Sequence, residues 1–132
     1  MNNKLKLLFV CIENSNRSQM AQAFAKIIGG DKVDAYSAGS NPSGKINPKA
    51  IHAMSLLGYD LSKHDSKSLT EIPLIEYDYA ITMGCGDECP LVKAQNRKDW
   101  DIPDPRNMEG EEFLKIRDLI KQKVDALLKS LV

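Results

Sequence analysis

Residues 7–30 read LLFVCIENSNRSQMAQAFAKIIGG, and this stretch joins an apolar run to a polar loop and then to a helical pattern. The apolar run stops abruptly at Cys11, as is typical of a central strand in a parallel sheet. From Ser18 onward, apolar residues recur at a helical period until Gly29 and Gly30, which indicate the helix end. The stretch therefore predicts a strand, a tight loop and a helix in succession.

The same patterns predict the remaining elements. The first strand covers residues 4–10, and further strands are predicted at 32–39, 77–84 and 99–102. Helices are predicted at 47–58, with Asn47 as its N-cap and Pro48 in its first turn, and at 109–131. Residues 59–72 read as loop with a short helix near 68–72. The order β-α-β-α-β-β-α predicts an α/β protein, an open, three-layer parallel sheet with helices on both faces.

Length and composition limit the possible functions. With 132 residues, we expect one domain over 1–132. The 18 basic and 18 acidic residues cancel, and no long basic run exists, so neither nucleic acid nor a membrane surface is an expected partner. The N-terminal apolar stretch is too short for a signal peptide. Three cysteines without a secretory signal predict reduced thiols and a cytoplasmic protein, and nothing argues against a monomer.

Three chemically useful side chains follow predicted strands. Cys11, Cys85 and Asp104 each come after an apolar strand segment. In open parallel sheets, ligands bind at the carboxyl ends of the strands. We therefore expect these three residues to share one edge of the sheet.

The loop after the first strand has the composition of an oxyanion site. Backbone N–H groups at a helix N-terminus attract anions, and Arg17 adds a bidentate charged clamp. The same field should lower the pKa of the Cys11 thiol and make it a nucleophile, with Ser18 donating to the sulfur. Asn14 tolerates the positive φ that such loops require. The alternative is that Cys11 is a buried small residue and Arg17 a surface charge. The predicted binding loop comprises Ile12, Glu13, Asn14, Ser15, Asn16 and Arg17.

The segments CIENSNRSQMAQAFA (11–25), YSAG (36–39), ITMGCGDECP (81–90) and DWDIPDP (99–105) together resemble the low-molecular-weight tyrosine phosphatase superfamily. The sequence is most similar to its branch of thioredoxin-coupled arsenate reductases. This resemblance implies a four-stranded parallel sheet of order 2-1-3-4. It also implies an arsenate- or phosphate-type oxyanion as substrate and an external thioredoxin-like dithiol as reductant. Neither a bound cofactor nor a metal ion is expected.

Asp104 stands between Pro103 and Pro105, which restrict the directions that its carboxyl can take. A plain Asp-Pro turn would look the same. The resemblance implies that Asp104 is the general acid. It would protonate a departing phenol in a phosphatase, or the oxygen lost from arsenic in a reductase.

Cys85 and Cys89 are open to four interpretations: a metal site, two incidental thiols, protection of Cys11 from over-oxidation, or a redox relay. A metal site lacks further ligands, because His52 and His64 stand outside any zinc spacing. In a relay, Cys11 attacks arsenate, Cys85 attacks the Cys11 sulfur, and Cys89 moves the disulfide outward. Phosphate cannot follow this route because phosphorus is not readily reduced.

Arsenate reduction through Cys11, Cys85 and Cys89 is thus the predicted function. The alternative is a low-molecular-weight phosphatase that hydrolyses phosphate monoesters through a Cys11 phosphocysteine, with Asp104 as acid. An oxyanion-binding module without turnover is the third possibility. Gln19 stands where the phosphatases tend to have proline, and no tyrosine follows Asp104-Pro105, and both features favour the reductase.

The sequence departs from the reductase pattern at several positions. Asn16 replaces a second loop cysteine, and only three residues separate Cys85 from Cys89, a shorter spacing than in the best-known reductases. The potassium site of the family uses acids where this chain has Gln22 and Lys67, whereas Asn14 and Ser37 are retained. We expect the Lys67 ammonium to substitute for the ion; the alternative is that Lys67 is a solvated loop lysine.

Overall fold

The structure is a computed structural model, and it describes residues 4–11, 13–73, 75–83, 93–105 and 107–131. These described residues form four strands and three α-helices, with 3₁₀ turns at Gly30–Lys32 and Leu61–Lys63. In chain order the elements are β1 Leu5–Val10, α1 Arg17–Gly29, β2 Val33–Ala38, α2 Pro48–Ser55, β3 Glu76–Thr82, β4 Lys93–Asp99 and α3 Glu111–Leu131.

The four strands form one parallel sheet in the order β2-β1-β3-β4. Leu7 of β1 is in register with Ala35 of β2 on one side and with Tyr79 of β3 on the other. Tyr79 is in register with Asn96 of β4. The predicted open parallel sheet of order 2-1-3-4 is therefore confirmed.

The central strand β1 is buried on both of its faces. Leu7 and Phe9 belong to the larger apolar cluster, whereas Leu8 and Val10 belong to a smaller cluster that includes Ile72. Successive side chains of a strand point to opposite faces, so only a continuous apolar run can satisfy both. This requirement explains why β1 lacks polar alternation.

The helices form where the sequence predicts them, for the predicted reasons. Asn47 caps α2 by accepting a hydrogen bond from the Lys49 N–H at 2.9 Å, and Pro48 occupies the first helical position. Gly30 ends α1 with a φ of 53°. The predicted buried side of α3 is buried in the structure: Phe113, Ile116, Ile120, Val124, Leu127 and Leu128. In the part of the chain that the structure describes, no helix has the length and apolar character of a membrane span.

The fourth strand was predicted at 99–102, and this position is wrong because β4 covers Lys93–Asp99. The β4 sequence KAQNRKD is polar and almost fully exposed at the sheet edge, so it carries no apolar alternation. The apolar residues that drew the prediction, Trp100 and Ile102, are buried just after the strand. An apolar pattern indicates residues that are buried, and almost all residues of this edge strand are exposed.

The short helix predicted near 68–72 is also wrong. Those residues form a turn in which the Ser68 hydroxyl accepts from the Thr70 N–H and the Glu71 N–H donates to the Ser68 carbonyl. Serine hydroxyls compete with helical hydrogen bonds in this way. The helical turn of this region lies earlier, at Leu61–Lys63, where Leu61 is buried and Asp60 accepts from the Ser62 N–H.

Candidate active site

The loops after β1 and β3 start side by side at the carboxyl edge of the sheet. The Cys11 N–H donates to the Ala38 carbonyl at 3.2 Å, and the Met83 N–H donates to the Val10 carbonyl at 3.0 Å. These bonds extend the sheet by one residue past each strand. Cys11 therefore begins the loop at the predicted edge. Ile12, Cys85 and Cys89 lie outside the described residues.

The Cys11 loop takes its shape from tertiary contacts. Asn14 adopts a φ of 51°, which is the left-handed conformation that we expected an asparagine to tolerate in this loop. The Glu13 carbonyl accepts from the Ser43 N–H at 3.0 Å, and the Ser15 carbonyl accepts from the Asn47 N–H at 3.1 Å. The segment between β2 and α2 thus holds the loop from outside.

The thiol of Cys11 contacts the first turn of α1. Its Sγ lies 2.9 Å from the Ser18 Oγ, and the same Oγ accepts a hydrogen bond from the Asn14 Nδ2 at 2.8 Å. Because an amide nitrogen only donates, the Ser18 proton is free to point at the sulfur. Cys11 is 4% exposed and Ser18 is fully buried. A hydroxyl donor at a helix N-terminus favours the thiolate form of such a cysteine.

Arg17 connects three loops at this edge. Its Nη1 donates to the Met83 carbonyl at 2.5 Å and to the Ile102 carbonyl at 2.9 Å, and its Nη2 lies 3.9 Å from the Asp104 Oδ2. The side chain is only 10% exposed, so few rotamers are open to it. A fixed guanidinium is suited to binding an oxyanion without reorganisation.

Asp104 lies at the solvent side of this group. Its side chain is 43% exposed, and the buried Ile102 anchors the loop that carries it. The structure thus brings Cys11, Ser18, Arg17 and Asp104 to one edge, as the sequence predicts. An acid beside a guanidinium and open to water is placed to exchange protons with a bound group.

Asn16 occupies the N-cap position of α1 but forms no side-chain cap. Its Oδ1 is buried and has no hydrogen-bond partner among the residues that can be described. Buried carbonyl oxygens are nearly always paired in proteins. Asn16 therefore brings an unused acceptor into the predicted oxyanion loop.

A second set of side chains, which the sequence gives no reason to select, continues from Asn14. Gln19 donates from its Nε2 to the Asn14 Oδ1 at 2.8 Å and to the Asp65 carbonyl at 2.9 Å. The His64 Nδ1 lies 2.9 Å from the Gln19 Oε1, and the Tyr59 hydroxyl lies 2.6 Å from the His64 Nε2. His64 is 45 residues from Gln19 in the chain, so no local motif connects them.

The positions that match the family's potassium site are hydrogen-bonded in two pairs, Ser37 with Gln22 and Lys67 with Asn14. The Ser37 hydroxyl donates to the Gln22 Oε1 at 2.6 Å, and the Gln22 Nε2 donates to the Ala35 carbonyl at 3.1 Å. The Lys67 N–H donates to the Asn14 Oδ1 at 2.8 Å. Within the described ranges, no group of three or more His, Cys, Asp or Glu side chains could hold a metal ion.

The sheet order and the thiol at its carboxyl edge indicate an α/β enzyme of the kind that handles tetrahedral oxyanions. The family described as low molecular weight phosphotyrosine protein phosphatase matches residues 6–132. The chain belongs to this family.

Several of the proteins that are similar to this chain are arsenate reductases. Arsenate reductase 1 of Staphylococcus epidermidis is 40% identical over 126 residues, which are 92% of this chain and 94% of that protein. A solved arsenate reductase in the phosphate binding state is 34% identical, with a TM-score of 0.88, over 97% of this chain and 99% of that one. A thioredoxin-dependent arsenate reductase of Corynebacterium glutamicum is 30% identical, with a TM-score of 0.78, over 98% of this chain and 63% of that one. The resemblance to this branch of enzymes is confirmed.

Proposed function

We propose that this protein reduces arsenate to arsenite through a thiol–arsenic adduct on Cys11. The observation that carries the proposal is the 2.9 Å contact between the Cys11 Sγ and the Ser18 Oγ at the start of α1. The guanidinium of Arg17 stands at the same edge, within 3.9 Å of Asp104. The similarity to arsenate reductases over more than nine-tenths of the chain supports arsenate as the oxyanion.

In the first step, the Cys11 thiolate attacks arsenic(V). A sulfur–arsenic bond forms and one arsenic–oxygen bond breaks, and the oxygen leaves as water after it takes a proton from Asp104. Arg17 and the N-terminus of α1 stabilise the negative charge of the oxyanion. The hydrogen bond from Ser18 and the positive end of α1 favour the thiolate form of Cys11, and the close packing around the sulfur orients it.

In the second step, the electrons come from the cysteines. The Cys85 thiolate attacks the Cys11 sulfur, the sulfur–arsenic bond breaks, and its electron pair stays on arsenic, which leaves as arsenite. Cys89 then attacks the Cys85 sulfur of the resulting disulfide and releases Cys11 as a thiolate. An external dithiol of the thioredoxin type reduces the Cys85–Cys89 disulfide, so that the enzyme uses no bound cofactor. The thioredoxin-dependent relative supports this choice of reductant.

A single-turnover assay tests the relay. Fully reduced protein is mixed with arsenate in the absence of any reductant, and disulfides are then mapped by mass. We expect one arsenite per chain and a Cys85–Cys89 disulfide. Cys85→Ser should abolish arsenite release but leave the hydrolysis of an aryl phosphate intact.

Cys89→Ser is the matched control, because it removes a thiol that acts only after arsenite has left. We expect one arsenite per chain and a trapped Cys11–Cys85 disulfide in this variant. Arsenate turnover by Cys85→Ser would contradict the relay.

The phosphatase alternative is supported by the description of the family and by the position of Asp104 beside Arg17. In that reaction the Cys11 thiolate takes the phosphoryl group and Asp104 protonates the leaving oxygen. The same assay distinguishes the two functions. Good hydrolysis of an aryl phosphate, no arsenite and three free thiols would assign the protein as a phosphatase.

A further inference from the structure

Five consecutive hydrogen bonds lead from a half-buried tyrosine to the sulfur of Cys11. The tyrosine and a histidine belong to the segment between α2 and β3, whereas the other four residues belong to the Cys11 loop and to α1. The bonds are Tyr59 OH to His64 Nε2 (2.6 Å), His64 Nδ1 to Gln19 Oε1 (2.9 Å), Gln19 Nε2 to Asn14 Oδ1 (2.8 Å), Asn14 Nδ2 to Ser18 Oγ (2.8 Å) and Ser18 Oγ to Cys11 Sγ (2.9 Å). We call these six residues the Tyr59–Cys11 chain.

Backbone groups fix the orientation of both amides in this chain. The Lys67 N–H donates to the Asn14 Oδ1 at 2.8 Å, so this atom is the oxygen and the other is the nitrogen that faces Ser18. The Gln19 Nε2 lies 2.9 Å from the Asp65 carbonyl and 3.0 Å from the Asn14 carbonyl, which only a nitrogen can approach as a donor. Each amide therefore donates in the direction of Cys11.

The histidine continues the same direction. Because the Gln19 Oε1 can only accept, the His64 Nδ1 carries the proton. Burial, followed by the nearby charges of Lys26 and Lys67, lowers the pKa of His64 to about 4, against a smaller opposing effect of Asp65. The ring is thus neutral at pH 7, and its Nε2 accepts from the Tyr59 hydroxyl.

Tyr59 is the first donor of the chain. Burial, and then the charge of Asp60, raises the pKa of its hydroxyl, so it keeps its proton. All five bonds consequently point the same way, with every hydrogen directed at the next acceptor and the last one at the sulfur. Aligned hydrogen bonds polarise one another, by about 10–30% per bond.

We propose that Gln19, His64 and Tyr59 are positioning residues that act through Asn14 and Ser18 to stabilise the Cys11 thiolate. The inference deepens the proposed function, since it rests on Cys11 reacting as a thiolate. None of the three residues touches the sulfur. Their effect is to keep the Ser18 proton directed at Cys11 and to strengthen that last bond.

A purely structural role is the competing explanation, because the same bonds also help to hold Asn14 at its positive φ. The two roles differ in what they change. Loss of a structural support lowers the melting temperature and leaves the ionisation of Cys11 as it was. Loss of a polarising donor raises the pKa of Cys11.

The experiment follows the pH dependence of alkylation by iodoacetamide, with the modified Cys11 peptide of the full-length reduced protein quantified by mass. His64→Leu removes the donor to Gln19 and should raise the apparent pKa of Cys11 by about 0.5, roughly a threefold loss of thiolate at acidic pH. Tyr59→Phe should give a smaller shift of the same sign. His64→Asn, whose amide can replace the ring Nδ1 as donor, should stay close to wild type. The control is Tyr79→Phe, because Tyr79 is a half-buried tyrosine that does not belong to the Tyr59–Cys11 chain.

The outcomes distinguish a failure of the proposed function from a failure of the positioning role. A wild-type Cys11 that titrates near the ordinary cysteine value of about 8.5 would contradict the proposed function itself. A low wild-type value that is unchanged in both His64→Leu and Tyr59→Phe would overturn the inference and leave the function standing. If His64→Leu fails to fold, Tyr59→Phe decides alone, since it removes a single oxygen from a half-buried site.

Discussion

At the scale of single residues, the chemistry of this site depends on groups that are fixed before any substrate arrives. Cys11 and Arg17 are both nearly inaccessible, at 4% and 8% exposure. Ser18 approaches the sulfur with one hydrogen bond, and Arg17 is held by two backbone carbonyls. Preorganised groups of this kind lose little entropy when they bind a transition state.

Substitution of Ser18 tests the last bond of this arrangement. Ser18→Ala removes a donor 2.9 Å from the Cys11 sulfur, so the thiolate loses a charge-assisted hydrogen bond. We expect kcat/KM for an aryl phosphate to fall about ten- to hundredfold. Ser55→Ala, whose exposed hydroxyl bonds only its own helix, should leave the rate unchanged. An unaltered rate in Ser18→Ala would show that the contact has no catalytic value.

Lys67 gives a prediction about potassium. Its N–H donates to Asn14, and Gln22, which stands at the other position where the family has an acid, accepts directly from Ser37. We expect activity to be the same in KCl and NaCl at constant ionic strength. Lys67→Met should lower kcat/KM several-fold if its charge replaces the ion, whereas Lys63→Met, an exposed neighbour, should not. Clear stimulation of the wild type by potassium over sodium would contradict this substitution.

At the scale of elements, α1 combines the site with the core. Its first residue is Arg17, its inner face buries Met20 and Phe24, and its last residue, Gly29, packs against β2. The helix therefore cannot shift to relieve a clash at one end without moving the site at the other. The close packing of Gly29 against Val33 allows this restraint to be measured by substitution.

Gly29→Ala should destabilise the protein even though alanine is the better helix former by about 1 kcal/mol. An added Cβ would lie 2.5 Å from the Val33 Cγ2 and 2.9 Å from the Val33 Cβ. We expect a loss of about 1–3 kcal/mol in the free energy of unfolding, measured with urea.

A double-mutant cycle with Val33→Ala provides the control, because the shorter side chain relieves the closer contact. The cost of Gly29→Ala should be smaller in the Val33→Ala background. A stabilising effect of Gly29→Ala in the wild type would mean that β2 yields without cost.

At the scale of the whole molecule, the site is assembled from segments that are distant in the chain. The Cys11 loop is bonded to the segment between β2 and α2 and to residues 64–67, and Arg17 reaches the ends of β3 and of the Asp104 loop. The stability of the fold and the geometry of the site therefore depend on the same contacts. The protonation of His64 affects both, because this residue is partly buried and is hydrogen-bonded to Gln19 of α1.

His64 should make stability depend on acidity. Its pKa falls from 6.5 to about 4 on folding, first through burial and then through Lys26 and Lys67. The unfolded chain therefore binds a proton at a higher pH than the folded one. The free energy of unfolding should be highest above pH 6.5 and should fall as the pH drops toward 4. Urea unfolding at several pH values measures this slope.

His64→Asn cannot take up the proton, so the loss between pH 6.5 and 4 should be smaller in this variant. The carboxylates titrate equally in both proteins and cancel in the comparison. His52→Asn, at an exposed position, is the matched control and should behave as the wild type does. Identical slopes in His64→Asn and the wild type would show that His64 is not buried in solution.

The sequence predicts those strands and helices that bury at least one face, because burial requires a regular pattern of apolar residues. The apolar run of β1, the Asn47-Pro48 start of α2 and the helical period of α3 each require only local physics, and all three are confirmed. The polar edge strand β4 was placed wrongly because exposed strands carry no apolar pattern. The turn at Ser68 was mistaken for a helix because a hydroxyl took the backbone bonds.

The sequence by itself determined the open parallel sheet, the loop that begins at Cys11 and the place of Arg17 and Ser18 in that loop, because these features follow from residues that are neighbours in the chain or that follow strands of one parallel sheet. The strand order 2-1-3-4 and the role of Asp104 were implied by the resemblance to the phosphatase superfamily. The tertiary structure alone decided that Tyr59 and His64 would be connected to the Cys11 thiol through Gln19, Asn14 and Ser18. A hydrogen bond between Gln19 and His64 spans 45 residues, and its direction depends on which backbone groups and charges surround the ring. Such contacts leave no periodic or local signal, because they arise only when separate segments pack together.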